Sequence, residues 1–333
     1  TMDQVPASFP NYLPVPELQR RYPPLEPFEH HEHGKNADST FPDLFPPGAG
    51  VIEHLTPQFG SEVSGIQLSQ LTNKGKDQLA LFVAQRKVVA FRDQDFAHLS
   101  IDDALEYGGY FGRHLMHPTS AAPKGYPEIH VVHRGPEAQT CANALRSRNS
   151  AVYWHSDLSF EEQPPGTTFL YVLDGPPSGG DTIFADMVQA YQRLSPEFRQ
   201  RLHGLKAEHT SAEHIQSEGG NSRRPAITTA HPIIRTHPAT GEKAIFVNEV
   251  ITKRIVGLKK EESDLLLKFL FDQTAFSHDL QVRLRWRPGT VVVYDNRVTS
   301  HAALFDFEDG YRRHLARLTP QAERPYETPF QEA

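Results

Sequence analysis

TVVVYDNRVTSHAA, residues 290–303, begins as an unbroken apolar run and ends on charged and polar side chains. A short run of this kind, with no alternation, reads as a buried strand. It delivers Asp295, Asn296 and Arg297 to the edge of its sheet, and His301 follows a few residues on. Polar groups presented where a buried strand ends are candidates for chemistry.

Similar runs flank it. VIEHL at 51–55, SEVSGIQL at 61–68, EIHVVH at 128–133, TTFLYVL at 167–173, DTIFADM at 181–187, AIFVN at 244–248 and QVRLRW at 281–286 read as strands separated by Gly and Pro signals. Helical patterns are few: 76–86 running into the strand KVVAF, MVQAYQRL at 187–194, PEFRQRLHG at 196–204 and EESDLLLKFLFDQTAF at 261–276. Ser100, with Asp103 three residues later, starts another helix that should end at the glycines that follow. Many short strands without regular β-α-β alternation predict a mostly β fold, an antiparallel sandwich or jelly roll with flanking helices packed outside.

Residues 1–50 are Pro-rich and lack periodic apolar pattern, so they read as an N-terminal arm, and 51–333 as one domain. The histidine-rich HHEH at 30–33 could bind metal as a histidine-rich tract, but it lies in that arm and is expected to be a solvated, partly mobile stretch. The 333 residues are 38% hydrophobic, enough for a sizeable core. A net charge of −7 without long Lys or Arg blocks argues against nucleic acid as a partner. No apolar run approaches the about 20 residues a bilayer span needs, so no membrane partner is expected. One cysteine, Cys141, and no basic-then-apolar leader point to a reducing, cytoplasmic setting. Nothing marks a partner base for Cys141, and self-association is left open.

Four constellations could carry chemistry. In YWHSDLSF, 153–160, His155 and Asp157 are two apart, so on a strand they project from one face. The alternative is a polar strand face. With His301 they would give two histidines and a carboxylate, which leave three positions open on an iron, as non-haem Fe(II) oxygenases require. A closed zinc site would want four ligands, usually with cysteines. In GYRRHLARL, 310–318, Arg313 and Arg317 share a strand face and could hold two anions, unless they serve ordinary surface ion pairs. In SGGDTIFAD, 178–186, the glycines read as a hairpin turn, after which Thr182 can offer a hydroxyl to an oxyanion. No Walker loop, nucleophile elbow or Rossmann fingerprint occurs.

In chain order, WHSD at 154–157, GGDT at 179–182, FVNE at 246–249, TKRIVGL at 252–258, YDNRVTSH at 294–301 and RRHLAR at 312–317 form a set. Together, over about Val51 to Pro325, they resemble the taurine dioxygenase family of Fe(II)- and 2-oxoglutarate-dependent oxygenases. The resemblance implies a double-stranded β-helix (jelly-roll) core, with Fe(II), 2-oxoglutarate and O2 as reaction partners. It makes His155, Asp157 and His301 the iron ligands, and Thr182 and Arg313 the groups that hold the distal carboxylate of 2-oxoglutarate. Arg312 competes for that role, but Arg313 has the second arginine, Arg317, four residues on.

It further implies a small anionic substrate, gripped by Arg317 and by His117 of RHLMHP. Ser120 stands where the family has a tyrosine, Ala151 where an asparagine contacts substrate, and Ile251 where a phenylalanine lines the site. These changes favour an aliphatic acid, either an alkanesulfonate or a carboxylate or amino acid, over taurine. Residues 117–151 hold several of these positions and read as a long loop able to act as a lid. A jelly-roll protein that binds an anion without oxidising it is the alternative of another class.

Overall fold

The computed structural model describes residues 6–15, 20–138, 143, 145, 146, 149–217 and 222–331, so Cys141 lies outside the described residues. The Val291–Asp295 strand occupies the middle of a seven-stranded sheet, paired antiparallel with Val88–Phe91 and Thr167–Asp174. Across the sheet the order is Val51–His54, Ser61–Ser64, Val88–Phe91, Val291–Asp295, Thr167–Asp174, Arg313–Leu318 and His130–Arg134. Only Ser61–Ser64 and Val88–Phe91 run parallel.

The apolar run lacks alternation because both faces of its strand are covered. Val291 and Val293 pack with Leu79, Phe82 and Val83 of the helix Asn73–Arg86 and with Tyr107 of the helix Ile101–Gly109. Val292 and Tyr294 face the other way, toward Phe184, Val282 and Leu284 of a three-stranded sheet formed by Gln281–Leu284, Thr182–Asp186 and Thr299–Ala303. Burying each such aliphatic side chain contributes roughly 1.5–3 kcal/mol, whichever face it takes. The small sheet is covered in turn by the helix Lys260–Phe276, whose Leu267 and Leu270 join Ala185 and Ala302. The layers therefore run helices, large sheet, small sheet, helix, a mostly β fold as expected.

Local signals are obeyed where a side chain can close them. Ser100 accepts from the Asp103 backbone N–H at 3.0 Å and starts the helix that ends at Gly109. SEVSGIQL is shorter as a strand than read: it stops at Ser64, because Gly65 takes a positive φ of 77° and turns the chain. Part of the lid reading also fails. His130–Arg134 is an edge strand held in register by Arg313–Leu318, so that stretch of 117–151 is fixed to the sheet. Residues 139–142, 144, 147 and 148 of that segment lie outside the described residues.

The histidine-rich stretch is tied to the fold rather than loose, although His31 is exposed. Glu32 forms an ion pair with buried Arg297, and His33 Nδ1 lies 2.7 Å from Asp77 Oδ1. The cause is Arg297, whose charge needs carboxylates; Glu32 supplies one from far along the chain. Tyr12 and Leu44 are likewise wholly buried in the large core. Among the described residues no helix is long and apolar enough to cross a membrane.

Candidate active site

One backbone bridge assembles the histidine pair. The His155 N–H donates to the His301 carbonyl at 3.0 Å, and the His301 N–H to the His155 carbonyl at 2.8 Å. Asn296, just past the central strand, fixes the next residues: its Oδ1 accepts from the Asp157 N–H at 2.7 Å and its Nδ2 donates to the Asp157 carbonyl at 2.9 Å. His301 itself sits on Thr299–Ala303, opposite Phe184, and Ala303 sits opposite Thr182, so His301 and Thr182 share a face of the small sheet.

His155 Nε2 and His301 Nε2 lie 3.6 and 3.7 Å from Asp157 Oδ1, and one ligand atom from each of the three residues falls within 4.8 Å of the others. An ion bonded at about 2.1 Å to three perpendicular donors spaces them about 3 Å apart, so a small inward shift accommodates one. The protonation states also fit. His155 Nδ1 donates to the Tyr153 carbonyl at 2.9 Å, which fixes the ring with its Nε2 toward Asp157. Burial pushes His301 down to about 3, so the ring is neutral at ordinary pH. Burial alone would raise the Asp157 carboxyl, but the Arg317 charge, the largest opposing cause, holds it well below the usual carboxylate range. Arg317 donates to Asp157 Oδ1 at 2.6 Å and the Tyr294 hydroxyl donates to Oδ2, which fixes the plane of the carboxylate.

A cavity of about 350 Å³ opens over this triad. Along Arg313–Leu318, Arg313, Leu315 and Arg317 all line it, as strand alternation requires, whereas Arg312 points away and lends its charge to His133. Arg313 Nε donates to the Gly180 carbonyl at 2.9 Å, and the Trp286 indole N–H donates to Thr182 Oγ1 at 3.1 Å. His117, Ser120 and Ile251 line the same cavity. Ala151 is buried but does not line it, so the structure leaves this one sequence-predicted residue out. Three neighbours escaped sequence reasoning, His130, Tyr294 and Trp286, and Asn296 was read only as a polar group at the sheet edge. Asn296 and Tyr294 lie inside a quoted motif, but their partner Asp157 is more than a hundred residues away, and nothing local marks His130 or Trp286.

A family model described as taurine catabolism dioxygenase TauD, TfdA family, matches residues 52–319. The chain belongs to the TauD/TfdA family. An α-ketoglutarate-dependent sulfonate dioxygenase of Saccharomyces cerevisiae is 42% identical, covering 96% of this chain and 79% of that protein. The α-ketoglutarate-dependent dioxygenase cnsM of Penicillium expansum is 44% identical, covering 95% and 90%. A crystal structure of a putative α-ketoglutarate-dependent taurine dioxygenase from Burkholderia xenovorans superposes with a TM-score of 0.68 at 28% identity, covering 83% of this chain and 94% of that one. Like its TauD/TfdA relatives, the protein is a 2-oxoglutarate-dependent dioxygenase that uses Fe(II) and O2.

Proposed function

We propose that His155, Asp157 and His301 hold the iron, that Thr182 and Arg313 hold the distal carboxylate of 2-oxoglutarate, and that Arg317 with His117 grips a small anionic substrate. The observation that carries this reading is a single cavity bordered by the triad, with a buried arginine at each of two places on one strand face. The core is read as a double-stranded β-helix, and residues 51–333 as its domain with 1–50 as an arm, of which the described Tyr12 and Leu44 pack into the large core.

With iron bound, 2-oxoglutarate and O2 supply an oxidant able to remove a hydrogen atom from an unactivated C–H bond, and 2-oxoglutarate leaves as succinate and CO2. The protein's part is orientation. Trp286 donates to Thr182 Oγ1, so the threonine hydrogen is directed to a carboxylate oxygen beside Arg313. Arg317 anchors the substrate acid at the other end, and Leu158, Phe160, Val250 and Ile251 wall its body with apolar surface. An aliphatic chain suits that wall.

An alkanesulfonate fits best. Hydroxylation at the carbon bonded to sulfur gives an α-hydroxysulfonate, whose C–S bond breaks to release sulfite and leave an aldehyde. The names of the yeast relative, a sulfonate dioxygenase, and of a 29% identical sulfate ester dioxygenase from Pseudomonas putida support this class. Hydroxylation or cyclisation of an aliphatic carboxylate or amino acid is the second reading, because one buried arginine also suits a carboxylate. Purified protein with Fe(II), ascorbate and 2-oxoglutarate should release succinate faster when the right acid is added, with matching sulfite only for sulfonates. Full activity in His155→Ala would sink the site assignment.

A further inference from the structure

His130 has no part in holding iron or 2-oxoglutarate, yet it stands buried between Arg317 and Ser120 at the anion end of the cavity. Arginine only donates, so the His130 Nδ1 that meets the Arg317 guanidinium is an acceptor and carries no proton. The Nε2 of the same ring, 3.5 Å from that guanidinium nitrogen, is the poorer contact. Burial and the Arg317 charge hold His130 well below the ordinary histidine range, so the ring is neutral and its one proton sits on Nε2. That N–H lies 3.1 Å from Ser120 Oγ and donates to it. The serine oxygen is thereby used as an acceptor, and its own hydrogen is left for the cavity that Ser120 lines.

His117 is set in the same sense. Its Nδ1 accepts from the Ser120 and Thr119 backbone N–H groups at 3.0 and 3.3 Å, which puts its proton on Nε2. Arg223 donates to the Ser120 carbonyl and fixes the turn that carries both residues.

We propose that His130 is a positioning residue and Ser120 a specificity-determining one: together they complete a set of three donors, Arg317, Ser120 Oγ–H and His117 Nε2–H, for the three oxygens of a sulfonate or sulfate-ester head. A carboxylate offers two oxygens and leaves one desolvated donor unpaired, which counts against it. The inference rests on the proposed roles of Arg317 and His117 and adds the selection between head groups.

Titration calorimetry on protein loaded anaerobically with Fe(II) and 2-oxoglutarate tests it, using hexane-1-sulfonate, hexyl sulfate and hexanoate. Wild-type protein should bind one or both three-oxygen heads at least about tenfold more tightly than hexanoate. Preference for the sulfonate or for the sulfate ester supports the proposal either way and identifies the source of the head. Ser120→Ala should remove most of the preference, with hexanoate changed by no more than about twofold. His130→Leu can neither accept nor donate and should lose the preference too. His130→Gln should restore it, because its amide oxygen can accept from Arg317 while its N–H donates to Ser120; a merely space-filling role predicts no such rescue. Equal wild-type affinity for hexanoate and hexane-1-sulfonate, binding of none of the three, an undiminished preference in Ser120→Ala, or His130→Gln no better than His130→Leu would each overturn the proposal. Ser120→Ala removes a single oxygen at the cavity wall, so it decides the question even if His130→Leu does not fold. The reading of the iron site fails separately, on succinate release that survives His155→Ala.

Discussion

Arg297 and Arg317 are both buried arginines, 20 residues apart in the chain, and their surroundings differ in kind. Arg297 is saturated: Nε and one terminal nitrogen donate to the two Asp295 oxygens at 2.8 and 2.7 Å, and the other terminal nitrogen serves Glu32 and Glu323. Arg317 meets one carboxylate, Asp157, and one neutral ring, His130, and its buried Nε has no hydrogen-bond partner among the described residues. A cation satisfied on every side holds structure together. One left short of acceptors beside a cavity holds its capacity in reserve for a ligand.

The contrast can be broken most severely at Arg297. Arg297→Met strands carboxylates in the interior and should destabilise the protein by about 3–5 kcal/mol, read by thermal or denaturant unfolding. A milder loss than that of Arg317→Met would reverse the assignment of the two roles. Arg317→Met should instead lower substrate-anion affinity by roughly 10- to 100-fold, the range for losing charged hydrogen bonds, with the smaller stability change.

Acid should sharpen the difference. Burial raises Glu323, but Arg235 and Arg297 outweigh it and hold its carboxyl below the usual value; Glu32 is lowered in the same way, with Arg297 the main opposing charge. Groups with depressed folded values contribute stability that is present above their unfolded pKa and lost as pH falls through the folded one. The wild-type protein should thus lose this contribution on acidification below about pH 4.5. In Arg297→Met the unpaired Glu32 is raised by burial, so protonation relieves it, and the stability gap between the two proteins should narrow from pH 7 to pH 4. A gap that widens would show that Arg297 is not what depresses these carboxyls.

The smallest effect belongs to a neutral bond. Trp286→Phe removes the donor to Thr182 Oγ1 and should raise the KM for 2-oxoglutarate by roughly 2- to 10-fold, with substrate-anion affinity unchanged. A change in anion affinity instead would tie Trp286 to the Arg317 end.

The same contrast marks what could be read in the sequence. Arg313 and Arg317 were legible because a strand period of two puts them on one face, and His155 with Asp157 for the same reason. The strands were legible because their apolar runs are local. Glu32 was not, since its partner Arg297 lies on the other side of the fold and nothing in HHEH itself signals that a buried charge awaits it. His130 and Trp286 were missed for the same reason: each acts through a hydrogen bond to a residue that only the pairing of distant strands brings near. Ala151 shows the converse, a position transferred by resemblance that the cavity does not use.

The Glu32–Arg297 pair closes a loop of 265 residues. At synthesis rates of about 5–20 residues per second, Glu32 leaves the ribosome roughly 15–50 s before Arg297 does. During that interval Glu32 lacks its counter-charge, and for roughly the first half of it Tyr12 also lacks Tyr171, the ring it packs against. The stretch that carries Glu32 is therefore made well before the side chain that holds it in place.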